Sequence, residues 1–168
     1  MQLIKKRILA LPDRREAFEL LKVFETLFTT QCLGSAGLAI NAAAAVTVKA
    51  GSAFSALVAN THVYKAAATV MTALPALPLV LTLQYQMWTF TIDGAGNLYT
   101  LPGAPSLTLA GVQIPIVPES PVQAVIGSLV LYNGTASTFT PNTTALDTAL
   151  QISAYNNTVG PFFPIPPL

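Results

Sequence analysis

Apolar and polar positions follow a helical period near the start of the chain and a strand period over the rest. Across residues 13–31, Ala17, Leu20, Leu21, Phe24, Leu27 and Phe28 recur at three- and four-residue intervals and fall on one stripe of a helix. Asp13 is placed to act as N-cap with Glu16 three positions on, a capping box, and Pro12 disfavours helix before it. Arg15 can pair with Glu19, and Glu19 with Lys22, across the polar face. Gly34 and Gly37 are the expected end. Such a helix packs either on its own domain or on a partner, because an isolated amphipathic helix is marginal in water.

From residue 38 onward the pattern predicts strands. Residues 39–51 end in alternating β-branched positions and a glycine turn; 53–60 and 61–71 follow, separated by Asn60. Residues 78–93 form the strongest predicted strand. Leu81, Leu83, Tyr85, Met87 and Thr89 fall on one face, and Thr82, Gln84, Gln86, Trp88 and Phe90 on the other. The glycine-rich run 93–97 reads as a hairpin loop, with Asp93 in a turn role, returning through residues 98–100. Five prolines make 102–121 a loop or a short edge strand. Residues 122–133 read as a buried strand, Asn133-Gly134 as a turn and 149–157 as a last strand. The tail, GPFFPIPPL at 160–168, has too much proline for helix or ladder and favours an extended path. Its Phe162, Phe163, Ile165 and Leu168 call for a groove, on this domain or on a neighbour. The chain is therefore expected to be mainly β, with a helical arm at 1–34, a β-rich body at 35–159 and an extended tail at 160–168.

Composition sharpens the picture. Hydrophobic residues make up 52% of the chain and charged residues 9%, against about 25% charged in an average soluble domain. So few charges cannot cover a solitary globule: the surface is either uncharged polar or buried against other chains. The charges are also segregated. Ten of the fifteen stand before residue 26, and beyond Lys65 only Asp93, Glu119 and Asp147 remain. A net charge of +1 lacks the basic field of a nucleic-acid binder. The uncharged stretch 66–83 is nearly long enough to span a membrane, but Pro75 and Pro78 interrupt it and a strand pattern follows, so no membrane span is expected. No signal peptide is read at the start, where the basic residues 5–7 lead into a polar stretch.

Candidate chemistry is sparse. Cys32 alone makes neither a disulfide framework nor a cysteine zinc site, and reads as a small buried residue. His62 is the sole histidine, so any triad would rest on it. Gly94-Ala95-Gly96 leads into a strand, not into the helix a phosphate loop requires. Asn133, Asn142 and Asn156 begin glycosylation-like triplets of little weight in a chain so rich in Thr and Asn. Lys5, Lys6 and Arg7 read as solvated charges ahead of the helix. No catalytic residue, cofactor or metal is expected, and the chain reads as no enzyme.

The order of short motifs in the body resembles a group of small tailed-bacteriophage structural proteins. The resemblance rests on Ile-Asn-Ala-Ala at 40–43, Val-Lys-Ala-Gly at 48–51, Tyr-Lys-Ala-Ala at 64–67, Ala-Val-Ile-Gly at 124–127 and the run 138–147. It spans residues 33–157, except that 73–92 and the tail fall outside it; small residues and turns carry it, so order counts for more than any one match. It implies a capsid decoration, cement or head-fibre protein, assembled as a homotrimer, with an antiparallel β-sandwich or jelly-roll-like body. The implied partners are the major capsid protein and copies of this chain. The implied location is the virion, at the capsid surface, after synthesis in the host bacterial cytoplasm. In that setting Leu20, Leu21, Phe24, Leu27, Phe28, Phe162, Phe163, Ile165 and Leu168 are the expected contact residues. The alternative is a tail or fibre component binding host glycans, with Tyr85, Trp88, Tyr99, Tyr132 and Tyr155 as candidate platforms.

Overall fold

A computed structural model describes residues 29–43, 45–147 and 151–157. Within them the protein is mainly β and its sheets are antiparallel. Strands β1 (Gln31–Cys32), β4 (Phe54–Val58) and β5 (Thr61–Lys65) form one sheet in the order β1-β4-β5. Strands β2 (Leu38–Ile40) and β3 (Val48–Ala50) form a two-stranded ribbon. Strands β6 (Gln84–Asp93), β7 (Leu98–Pro102), β8 (Gln123–Asn133) and β9 (Gln151–Asn157) form the largest sheet, in the order β7-β6-β8-β9.

The central pair β6–β8 sets the core. Gln86, Trp88, Phe90 and Ile92 alternate onto one face of β6 and are fully buried. Their cross-strand neighbours are Leu131, Leu129, Gly127 and Ala124. The register shifts between Phe90 and Thr91, which leaves Ile126 as an extra residue in β8. Ile126 and Gly127 therefore point to the same side, and Ile126 joins the core beside Leu129 and Leu131. Phe54, Ala56 and Val58 from β4, Val48 and Ala50 from β3, and Cys32 from β1 complete that core. Each buried Val, Leu, Ile or Phe contributes about 1.5–3 kcal/mol.

The connections are irregular but anchored. Met71, Leu74 and Val80 from one connection and Phe139 and Leu146 from another are buried in the same core. Phe139 packs edge-on against Trp88, with ring centres 6.2 Å apart. Three sequence expectations change here. The strand expected over 61–71 ends at Lys65, although residues 68–71 run beside β3 through an isolated pairing of Val70 with Lys49. The strand expected over 78–93 starts only at Gln84, because Leu83 takes a left-handed φ of 60° that no strand accommodates. The stretch 39–51 is a hairpin, β2 and β3, and not one strand. Of the segment 13–31, residues 13–28 lie outside the described residues and Gln31 belongs to β1. The tail 160–168 also lies outside them.

The two tight hairpins follow turn chemistry. Val58 pairs with Thr61 around Ala59 and Asn60, both with positive φ, as a two-residue turn matched to strand twist requires. The β6–β7 loop is organised by Asp93. Its Oδ1 accepts from the Ala95 and Asn97 amides at 2.9 and 2.8 Å. Its Oδ2 accepts from Asn97 Nδ2 and from the Tyr99 hydroxyl, each at 2.8 Å. Gly96 supplies the positive φ of 86° and lies against Val63 and Lys65 of β5. Burial alone would raise the Asp93 carboxyl, but these hydrogen bonds outweigh it and hold its pKa below the ordinary value of 3.8.

Two predictions follow from this packing. Because the folded-state pKa of Asp93 is depressed, its contribution is complete above the unfolded value and is lost as pH falls through the folded one. Urea denaturation of wild type and Asp93→Asn should show the wild type more stable at pH 7, with the gap closing below about pH 4. The second concerns Thr89, which is buried with a hydroxyl that has no hydrogen-bond partner among the described residues. Thr89→Val keeps the shape and removes the orphaned group, so it should raise stability by about 1 kcal/mol in the same assay.

Candidate functional site

The expected contact residues Leu20, Leu21, Phe24, Leu27, Phe28, Phe162, Phe163, Ile165 and Leu168 all lie outside the described residues. What the described residues do contain is an apolar surface that the sequence pattern did not isolate. Leu77, Leu79, Leu81 and Leu83 stand at every second position of the segment 77–83, and all four are exposed. The cause is the residue between them. Val80 exchanges both backbone hydrogen bonds with Phe139, at 3.1 and 2.9 Å, and its side chain is fully buried. In extended backbone the flanking Leu79 and Leu81 must then point the other way.

A buried asparagine fixes where this segment sits. Asn133, at the end of β8, donates from Nδ2 to the Val80 carbonyl at 2.9 Å and to the Ser137 carbonyl at 2.8 Å. Its Oδ1 accepts from the Thr135 amide and hydroxyl. Its backbone carbonyl accepts from the Leu83 amide at 2.7 Å. Asn133 was read from sequence as a turn residue and a weak glycosylation match; with its amide nitrogen engaged and the residue fully buried, it is a clamp. Just beyond Leu83, Tyr85 and Ser106 exchange hydrogen bonds at 2.7 and 2.8 Å. That bridge brings the proline-rich stretch alongside β6. Leu107 and Leu109 are exposed there, with Leu109 in a short 3-10 turn, Leu109–Gly111. Gly103 holds the same stretch to the sheet. Its amide donates to the Met87 carbonyl and its carbonyl accepts from Gln86 Nε2, while a Cβ would collide with the Gln113 carbonyl oxygen.

The aromatic platforms expected of a glycan binder fare differently one by one. Trp88 is fully buried in the core. Tyr85 and Tyr132 stack on each other, with ring centres 4.5 Å apart, and Tyr99 donates to Asp93. Tyr64, on the outer side of β5, is 62% exposed and was not among the residues singled out. The side chain of Tyr155 lies outside the description.

The few reactive groups are dispersed. Cys32 is buried; burial pushes its thiol pKa up more than the Gly34 and Leu33 backbone contacts bring it down, and Sγ donates to the Gly34 carbonyl at 3.1 Å. A protonated, enclosed thiol is a packing group, not a nucleophile. His62 is exposed on β5, opposite Leu57. Among the described residues no three His, Cys, Asp or Glu side chains are grouped to hold a metal ion. Among the same residues no helix is long and apolar enough to cross a membrane; within 66–83 the described path is extended and irregular. The arrangement is suited to surface contact through apolar side chains held in fixed positions. Comparison with models of protein families, with curated proteins and with solved structures finds no match to this chain.

Proposed function

We propose that this chain is a structural virion protein of a tailed bacteriophage, an oligomeric decoration or cement protein that binds the capsid shell and stabilises it. In this reading the antiparallel sheets build a β-sandwich or jelly-roll-like body, and three copies assemble on the major capsid protein at the virion surface. The helical stripe Leu20, Leu21, Phe24, Leu27 and Phe28 and the tail residues Phe162, Phe163, Ile165 and Leu168 serve as contact elements. The observation that carries the reading is a body nearly free of charge that still leaves large apolar side chains exposed. A surface of that kind is completed by association.

A cement protein needs no chemical step. It stabilises a shell by burying apolar area across several subunits, at about 25 cal/mol per Å² less the cost of association. The glycan-binding alternative has no comparable support, since Trp88, its strongest candidate platform, is enclosed.

Purified protein mixed with capsids that lack it should occupy regular lattice positions in cryo-electron micrographs and raise the temperature at which the shells release DNA. Phe24→Asp should reduce that occupancy at least tenfold at a fixed protein concentration. Absence of ordered occupancy by the wild type would overturn the reading.

A further inference from the structure

The clamp residue Asn133 is followed by Gly134, and no other asparagine of the chain precedes a glycine. That pair can react with itself. The deprotonated Gly134 nitrogen attacks Asn133 Cγ, the new N–Cγ bond closes a succinimide, the Cγ–Nδ2 bond breaks, and Nδ2 departs as ammonia. Water then opens the ring at either carbonyl and leaves an aspartyl or isoaspartyl residue. Glycine favours the first step because it has no Cβ to hinder the attacking nitrogen.

The structure treats the two partners of this reaction differently. Gly134 is exposed, so its amide meets water and base. Asn133 is fully buried, and the whole hydrogen-bonding capacity of its amide is used. Nδ2 is held between the Val80 and Ser137 carbonyls, and Oδ1 takes the Thr135 amide and hydroxyl at 3.2 and 2.7 Å. Departure of Nδ2 and movement of Cγ onto the Gly134 nitrogen both break bonds that the fold supplies.

We propose that Asn133–Gly134 is a modification site for spontaneous deamidation, closed in the native fold and opened when the clamp gives way. Conversion is then irreversible and disables the clamp. A carboxylate only accepts hydrogen bonds, yet it would face two carbonyl oxygens at the distances Nδ2 now occupies. An isoaspartyl link also lengthens the main chain at the end of β8, where the Asn133 carbonyl receives the Leu83 amide. The damage is therefore aimed at the segment around Val80 and at Phe139, and not at the far end of the large sheet.

Ageing the full-length chain at mildly alkaline pH, in buffer and in unfolding urea, tests this, with conversion at Asn133 read by mass spectrometry of its peptides. Conversion should be at least ~tenfold slower in buffer, because only the opened fraction reacts. Gly134→Ala should suppress it in urea; Gly134 has no positive φ, and an added Cβ would meet only the Tyr132 ring, at 3.1 Å. After urea is removed, converted molecules should exchange the Val80, Leu83 and Phe139 amides faster than unconverted ones, with the β6–β7 ladder unchanged. Asn133→Asp should show the same pattern. If that variant does not fold, the aged wild type decides: converted chains depleted from the refolded fraction support the proposal. Equal conversion in buffer and urea, or urea conversion that spares Asn133, would overturn it. So would converted chains that refold in full proportion with unchanged exchange at those three amides.

Discussion

The pairing of β6 with β8 is the constraint on which the rest of the structure depends. Its register places Trp88, Phe90 and Ile92 on the same face as Leu129 and Ala124. A one-residue slip in either strand would turn that set outward. The extra residue at Ile126 is what lets both halves of β8 keep their apolar side chains on the core face. Everything attached to the two ends inherits its position from this ladder. At one end Asp93 closes the β6–β7 turn against β5; at the other Asn133 clamps the segment that carries Val80.

A chain with so little charge has to satisfy its buried polar groups by other means, and here neutral side chains take that part. Thr91 donates to Gln123 at 2.6 Å, Gln86 reaches the Gly103 carbonyl, and Thr100 reaches the Thr72 carbonyl at 2.7 Å. Each bond joins the large sheet to itself or to a connection, so the polar network and the apolar core hold the same segments. Amides and hydroxyls avoid the desolvation cost of buried ion pairs, but they carry their own cost where a partner is missing. Gln86 Oε1, Trp88 Nε1 and Thr89 Oγ1 are buried without one among the described residues, all within four residues of β6.

The local grammar of the sequence was enough to find most strands and their turns. Asn60 marked the β4–β5 turn, Gly94 and Gly96 marked the β6–β7 loop, and alternation over 84–93 gave the faces of β6. The misreadings share a cause: they lie where tertiary contacts decide. Alternation across 78–83 is real, but Val80 is paired with Phe139, far away in sequence, and Leu83 breaks the strand with a conformation its side chain does not favour. Nothing local announces either event. The bulge at Ile126 is likewise silent in a run of apolar residues, because a fully buried strand shows no alternation to interrupt. For the contact residues the sequence pointed to the amphipathic ends, whereas the pattern in the body placed Leu81 and Leu83 on one strand face without saying whether that face meets the core.

That last confusion has a physical lesson. Alternation says that two faces differ, and leaves open which face meets the core. In β6 the bulky set turns inward; in 77–83 the single Val80 turns inward and the four leucines turn out. The choice is made by Asn133 and Phe139, which both donate to the Val80 carbonyl, while the Phe139 carbonyl accepts from the Val80 amide. Once Val80 is held, the outward direction of Leu79 and Leu81 follows from extended backbone geometry. A fold that fixes apolar side chains outward on rigid backbone has already met much of the ordering cost that association would otherwise impose.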